Sequence, residues 1–196
     1  MARYVQYCAL FVVFLFWCST ESLEIKEANT IQEACNKITK DTPVVDAGLC
    51  VSSLSSDPRS ARADPATLAR IAIDVARANG SDTVYFILGL RDRESDNARR
   101  TALTSCADYY GVTVFNGLAT VLAKLGPSGP VEKVQKKVLL EKIQFAVDAG
   151  PNCNNYFEAP GKPGNIDPEL KRRNAVAFQL CAAAYGLTFQ YVAVKP

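Results

Sequence analysis

The sequence predicts an all-α protein: an antiparallel four-helix bundle preceded by a disulfide-stapled N-terminal helical hairpin. Three observations favour this fold class. Apolar residues recur at intervals of three and four over long stretches, Asp-Pro steps stand where helices would begin, and β-branched residues of the last stretch cluster only near its end. Short polar or Gly/Pro-rich connections separate the periodic stretches, which is typical of antiparallel helices that neighbour one another.

The beginning of the chain has the pattern of a secretory signal peptide. Arg3 supplies a positive charge, an apolar run follows over 8–18, and small residues come next at Ser19-Thr20. Because this run is too short to span about 30 Å of hydrocarbon, it predicts a cleaved signal peptide over residues 1–22, with a membrane anchor as the alternative. The remaining residues, 23–196, are long enough for one domain with its own core.

The composition disfavours several classes of function. The net charge is +2, from 22 basic and 20 acidic side chains without long runs of one sign, so we expect no binding to nucleic acid or to a membrane surface. The chain contains no His. A Ser-His-Asp or Cys-His nucleophile system is therefore excluded, and the commonest zinc ligand is missing. We expect no enzyme, no cofactor and no metal site.

The cysteines predict disulfide bonds and one free thiol. Of the seven cysteines, two lie in the signal segment, and five remain at Cys35, Cys50, Cys106, Cys153 and Cys181. An odd number of cysteines in a secreted chain leaves one thiol unpaired. The five cysteines include no CxxC pair, which argues against a zinc site or a redox motif. Counting alone leaves the pairing open.

Residues 23–63 form the predicted hairpin and its link to the bundle. Ile31, Cys35 and Ile38 follow a helical spacing, and a second short helical piece carries Cys50. A bridge between these two cysteines would staple the pieces together and contribute about 3 kcal/mol in the chain-entropy model. Asp57-Pro58 predicts a turn in the link that follows.

Residues 64–196 form the predicted bundle, and its first helix begins at Asp64-Pro65. The apolar spacing continues to about residue 92, with a weak point at Gly80. Asn79 begins the only Asn-x-Ser/Thr triplet of the chain, so it is the candidate N-glycosylation site.

Three further helices complete the predicted bundle. The second has an apolar stripe formed by Leu103, Cys106, Tyr110, Val114, Leu118, Val121 and Leu125. Aromatic residues in this region (Tyr109, Tyr110 and Phe115) are assigned to the core rather than to a ligand platform. The third helix runs from Val131 to Val147 and ends at the sequence GPNC. The fourth begins at Asp167-Pro168, and its predicted inward face comprises Leu170, Phe178, Cys181, Tyr185 and Val192.

Five segments together resemble a known family, the plant invertase and pectin methylesterase inhibitors. They are CNKIT at Cys35, CVSSLSSDPRSARADPATLARIAIDVARAN over 50–79, LTSCADYYGVTV around Cys106, IQFAVDAGPNCNNYF around Cys153, and KRRNAVAFQL over 171–180. The last segment is similar to the pollen-type subgroup of invertase inhibitors. The resemblance covers essentially all of residues 23–196 and implies the hairpin-and-bundle fold.

The resemblance also implies the cysteine pairing. Cys35 would pair with Cys50, and Cys106 with Cys153. Cys181 would remain as a free thiol, and its place on an apolar helix face predicts that it is buried and inert.

The resemblance further implies a secreted inhibitor, in the apoplast or cell wall with the vacuole as an alternative, that binds one target enzyme 1:1 over its active-site cleft. Invertase inhibitors of the family carry Pro-Lys-Phe before the fourth cysteine, whereas this chain has Lys136, Lys137 and Val138. This departure favours pectin methylesterase as the target, with acid invertase as the alternative. Lys133 and Lys137 are then candidate target contacts on an exposed bundle face. A carrier of apolar ligands is the more distant alternative from another functional class.

Overall fold

The computed structural model of the chain describes residues 30–125 and 133–194, with side chains at all of these except 133–134 and 193–194. The described residues form helices and turns and contain no strand. The helices are α1 (30–41), α2 (Ala47–Ser55), α3 (Pro65–Arg93), α4 (Asn97–Tyr110), a π-helical segment (Gly111–Gly117), α5 (Leu118–Lys124), α6 (Lys133–Val147), α7 (Ala149–Glu158) and α8 (Pro168–Val194). The predicted fold class is confirmed. The predicted signal peptide, residues 1–22, lies outside the described residues.

The helices form four antiparallel rods. These are α3, the continuous run of α4, the π-helical segment and α5, the run of α6 and α7, and finally α8. Each rod packs against its neighbours along the chain, and α3 packs extensively against α8, which closes the ring. The direction of the rods is visible in α3, where Arg70 contacts Leu122 and Arg77 contacts Phe115.

Aspartate side chains begin the helices, as the Asp-Pro steps predict. The carboxylate of Asp64 accepts a hydrogen bond from the Thr67 amide at 2.7 Å, and Asp167 accepts one from the Leu170 amide at 3.0 Å. In both cases the next residue is a proline in the first turn of the helix. Proline has no backbone N–H, but N–H groups in the first turn have no partner within the helix, so no hydrogen bond is lost. Asp57 caps the short 3₁₀ turn Pro58–Arg62 of the link in the same way.

The stapled hairpin lies against α8. A disulfide joins Cys35 of α1 to Cys50 of α2, with the two Cα atoms 5.9 Å apart. Ile38 is fully buried against Gly186 of α8, whose missing side chain makes the close approach possible. The link that follows is tied to the bundle because Arg59 bridges Asp57, at 2.6 Å, and Asp74 of α3, at 2.9 Å.

Helix α3 is continuous through Gly80, so the predicted weak point is a contact site. A Cβ atom added at Gly80 would lie 2.3 Å from Cγ1 of Val114. Glycine therefore permits Val114 to pack against the backbone of α3, and the helix tolerates its low propensity because tertiary packing outweighs it.

The second rod departs from the uniform α-helix that the sequence predicts. Four residues of its apolar stripe are fully buried and follow one another at intervals of four positions: Cys106, Tyr110, Val114 and Leu118. Each step of four overshoots an α-helical turn of about 3.6 residues, so the stripe would rotate away from the core in a regular helix. The π-helical segment Gly111–Gly117 spaces its hydrogen bonds over five residues and keeps the stripe facing inward.

The third rod continues past the point where its end was predicted. Gly150 and Pro151 of the GPNC sequence lie in the first turn of α7, which continues to Glu158. Pro151 cannot donate to the carbonyl of Val147, so the rod is interrupted at Asp148 but resumes at once. The start of this rod was predicted at Val131, and residues 131–132 lie outside the described residues.

Two members of the predicted inward face of α8 are only half-buried: Phe178 and Tyr185. Polar Asn174 and Thr188 are buried instead, 1% and 0% exposed. By length and composition Pro168–Val192 could also cross a membrane, but 56% of its apolar window is buried inside the fold, as in the core helix of a bundle.

Candidate protein-docking face

Three large apolar side chains are exposed on the second and third rods. Val112 and Phe115 belong to the π-helical segment and are 66% and 38% exposed, and Phe145 of α6 is 58% exposed. The π-helical segment packs directly against α6. We call these three residues the π face. Exposed apolar side chains are candidates for contact with another molecule.

The local sequence permits a change of helical winding here. Gly111 and Gly117 flank the segment, and glycine weakens the preference for α-helix. The Thr113 hydroxyl donates to the carbonyl of Tyr109 at 2.7 Å, and the Thr120 hydroxyl donates to that of Asn116 at 2.9 Å. Thr83, Thr101 and Thr104 make the same bond to the carbonyl four residues earlier in the regular α-helices.

Arg77 of α3 holds the centre of the π face. Its Nε donates to the carbonyl of Phe115 at 3.2 Å, and its guanidinium carbon lies 4.4 Å from the centroid of the Phe115 ring. The second distance is within the range of a cation–π interaction. One turn further along α3, Gly80 receives Val114. Phe115 is thus fixed at its backbone and at one face of its ring.

Helix α6, which packs against the π-helical segment, has an excess of basic residues. The sequence of α6 contains four lysines and one glutamate. The side chain of Lys137 is 80% exposed, and its ammonium lies 3.7 Å from the carboxylate of Glu141 one turn away. Of the predicted contacts, Lys137 is therefore exposed, whereas the side chain of Lys133 lies outside the described residues.

The aromatic residues that the sequence assigned to the core divide into two groups. Tyr110 is fully buried, and its hydroxyl donates to Oδ1 of Asn174 at 2.9 Å. Burial raises the pKa of Tyr110 far above its usual range. Phe115 is exposed, so its assignment to the core was wrong. The sequence held one sign of this exposure. Val112 and Phe115 are three residues apart and fall outside the apolar stripe of the rod.

The cysteines have the arrangement that the resemblance implies. Besides the hairpin bridge, a disulfide joins Cys106 of α4 to Cys153 of α7, with the Cα atoms 4.8 Å apart. Cys181 is free and completely buried, and this burial raises the pKa of its thiol to about 12. A thiol with this pKa is almost entirely protonated at neutral pH, so it is a poor nucleophile.

Asn79 lies in the middle of α3, between the buried residues Ala76 and Gly80. Its Oδ1 atom is buried without a hydrogen-bond partner in the part of the chain that the structure describes. The residue as a whole is half-buried, and use of this sequon stays a prediction.

The described ranges contain no group of three or more His, Cys, Asp or Glu side chains that could hold a metal ion. One surface cavity of about 220 Å³ is lined by charged Arg93, Glu94 and Arg99 among others, and another of about 210 Å³ lies between α1 and α8. Both volumes are below the usual range of small-molecule pockets.

The exposed apolar side chains make this helical bundle a candidate for binding another protein. Comparison with known proteins gives the family. The model of the plant invertase/pectin methylesterase inhibitor family matches residues 29–187, so the chain belongs to this family of enzyme inhibitors.

Some individual relatives are named as inhibitors of pectinesterase and others as inhibitors of fructosidase. The chain is 25% identical over 173 residues to the "Pectinesterase inhibitor" of Actinidia deliciosa, which covers 88% of this chain and 84% of that protein. It is 28% identical over 180 residues to the "Cell wall / vacuolar inhibitor of fructosidase 2" of Arabidopsis thaliana, with 91% and 92% covered.

The solved structures support the fold. A mutant form of a pectin methylesterase inhibitor from Arabidopsis superposes with a TM-score of 0.60 at 17% identity, and 81% of this chain and 97% of that chain are covered. At this level of identity the likeness concerns the arrangement of helices alone.

Proposed function

We propose that this chain is a secreted inhibitor of pectin methylesterase that binds its target 1:1 and covers the active-site cleft with the π face. The observation that carries the proposal is an exposed, rigidly supported apolar cluster on a member of an inhibitor family. Acid invertase is the alternative target.

The choice between the two targets rests on α6. The family's invertase inhibitors have Pro-Lys-Phe where this chain has Lys136, Lys137 and Val138. Val138 is half-buried against the bundle, so no aromatic side chain is presented at that position. The remaining exposed groups favour a broad docking surface over a short inserted segment, and this supports pectin methylesterase.

We also propose that residues 1–22 direct the chain to the secretory pathway and are removed, which leaves residues 23–196 as the inhibitor. Two disulfides support an oxidising destination, because such bonds form and persist in extracellular compartments. One relative's name places that protein in the cell wall or vacuole.

The proposal is tested by inhibition of purified pectin methylesterase and acid invertase with the secreted protein and its variants. We expect nanomolar to micromolar inhibition of pectin methylesterase and weaker inhibition of invertase. Val112→Asp and Phe145→Asp should each weaken inhibition by about tenfold or more, since they place a charge in an apolar contact. Lys137→Glu should mainly slow association.

Tyr85 provides the matched control, because it is 72% exposed on α3 and lies outside the π face. Tyr85→Asp should leave inhibition unchanged. Equal losses at Tyr85 and the π face would contradict the proposed surface, and invertase inhibition stronger than pectin methylesterase inhibition would reverse the choice of target.

A further inference from the structure

We infer that Arg77 is a positioning residue that holds Phe115 as the preformed anchor of the π face. This inference rests on the proposed function and adds the residue pair on which its binding energy is centred. Arg77 belongs to α3, whereas the exposed apolar atoms belong to the second and third rods.

The first step of the argument is that Arg77 contacts Phe115 twice. Its Nε bonds to the Phe115 carbonyl at 3.2 Å, and its guanidinium covers the ring at 4.4 Å from the centroid. The carbonyl bond fixes the backbone of Phe115, and the stacked guanidinium restricts rotation of the ring. Arginine suits this task because its planar group can donate and stack at the same time.

The second step is that α3 also fixes the neighbouring residue. Val114 packs into the space left by Gly80, three positions after Arg77 and therefore on the same side of α3. One turn of α3 thus contacts two consecutive residues of the π-helical segment, Val114 and Phe115. The winding that exposes Phe115 is maintained by these contacts across the rods.

The third step concerns charge. Arg77 makes no ion pair with a carboxylate in the described parts of the chain. It is partly exposed, so it presents a positive charge next to the ring of Phe115. The occupant that complements this surface is an enzyme whose cleft has an apolar rim with exposed carboxylates, and the target enzyme is the partner to which we assign it.

A preformed anchor has a kinetic signature. Aromatic and arginine side chains dominate the binding energy of many interfaces, and an anchor that is already ordered loses little conformational freedom on binding. Loss of this ordering shortens the lifetime of the complex, whereas loss of charge slows its formation. Arg77 contributes both to the ordering of Phe115 and to the positive charge. Different substitutions of Arg77 distinguish the two contributions.

The test is a double-mutant cycle on the secreted protein, with association and dissociation rates measured against pectin methylesterase. Arg77→Ala should raise the dissociation rate about tenfold and lower the association rate, and Phe115→Ala should raise the dissociation rate by at least as much. Arg77→Ala combined with Phe115→Ala should dissociate no faster than Phe115→Ala alone. Arg77→Lys should preserve association but dissociate faster, because it retains the charge and loses the planar group.

Arg70 is the control, since it makes the same kind of contact from α3 to the Leu122 carbonyl, at 3.3 Å, two helical turns before Arg77. Arg70→Ala should leave both rates unchanged, and thermal unfolding should show that all variants are folded. Additive effects of Arg77 and Phe115, or wild-type rates for Arg77→Ala, would overturn the inference. If the wild-type protein inhibits and Phe115→Ala inhibits equally, the inference alone fails, whereas a wild type that does not inhibit refutes the proposed function.

Discussion

Glycines at helix crossings determine how closely the rods of this bundle approach one another. A Cβ atom at Gly150 would lie 2.3 Å from the carbonyl oxygen of Asn174, and one at Gly80 would lie 2.3 Å from a methyl group of Val114. Gly89 belongs to the same helix as Gly80 but has no neighbouring atom within 4 Å of such a Cβ. Within α3, Gly80 therefore permits a close contact with another rod, whereas Gly89 does not take part in one.

We predict that Gly80→Ala destabilises the protein by about 1–3 kcal/mol, because the added methyl group displaces the β-branched side chain of Val114. Gly89→Ala should instead stabilise it by up to about 1 kcal/mol through higher helix propensity. Denaturant unfolding of the two variants measures both values. Equal free energies of unfolding for the two variants would contradict the close packing at Gly80.

At the scale of elements, the two disulfides connect different parts of the fold. The first closes a separation of 15 residues within the hairpin, and the second closes 47 residues between α4 and α7. The second lies beside a buried polar network in which Tyr110 donates to Asn174, and Asn174 donates to Asn154 at 2.7 Å. Three helices thus meet at hydrogen bonds that leave these buried groups satisfied.

We predict that replacing both Cys106 and Cys153 by alanine lowers the free energy of unfolding by about 4 kcal/mol, as expected for the larger loop. Replacing Cys35 and Cys50 should cost about 3 kcal/mol. Equilibrium unfolding of the two double variants provides the comparison.

Peptide mapping without reduction provides the control for this pairing. It should recover Cys35–Cys50 and Cys106–Cys153, with Cys181 alkylated only after unfolding. A crosslink from Cys181 to another cysteine would refute the assignment.

At the scale of the whole molecule, a few carboxyl groups of the described residues have a lowered pKa and one thiol has a raised pKa. The chain contains no His. A hydrogen bond from Arg59 lowers the pKa of Asp57, and bonds from Arg99 and Arg172 lower the pKa of Glu94 and Glu169. These three carboxylates are solvent-accessible, so each makes a small contribution.

We predict that the free energy of unfolding is nearly constant between about pH 5.5 and 8. Carboxyl groups with a lowered pKa stabilise the folded state above their unfolded pKa, near 4, and this contribution is lost as the pH falls through the folded pKa. The thiol of Cys181 has a raised pKa, so its contribution is present below pH 9.0 and declines as the pH rises towards about 12. Chemical denaturation across this pH range is the measurement.

The alkaline decline is separated from other titrations by Cys181→Ala. Its free energy of unfolding should fall less steeply above pH 9 than that of the wild type, by about 1 kcal/mol at pH 10. A transition of wild-type stability between pH 6 and 7 would reveal a carboxyl group with a strongly raised pKa and contradict the prediction.

The sequence by itself predicted most of the helices and the starting points of two of them, at Asp64 and Asp167. Apolar spacing of three and four identifies a helix because one face must be buried, and Asp before Pro begins one because its carboxylate caps the amides of the first turn. Most of the stripe from Leu103 to Leu125 and the caps at Asp64 and Asp167 follow from these local rules. The family resemblance added the cysteine pairing, which spacing alone left open.

Only the tertiary structure decided which local preferences would be overridden. Gly80 and Gly150 weaken a helix locally, yet both lie inside helices because close packing with Val114 and Asn174 outweighs their cost. The π-helical winding is also a tertiary result, since a stripe with steps of four stays buried only if the helix winds more slowly. That winding turns Phe115 outward beneath Arg77, a residue 38 positions earlier in the chain. A contact between residues so far apart depends on how the rods pack, and local sequence does not specify it.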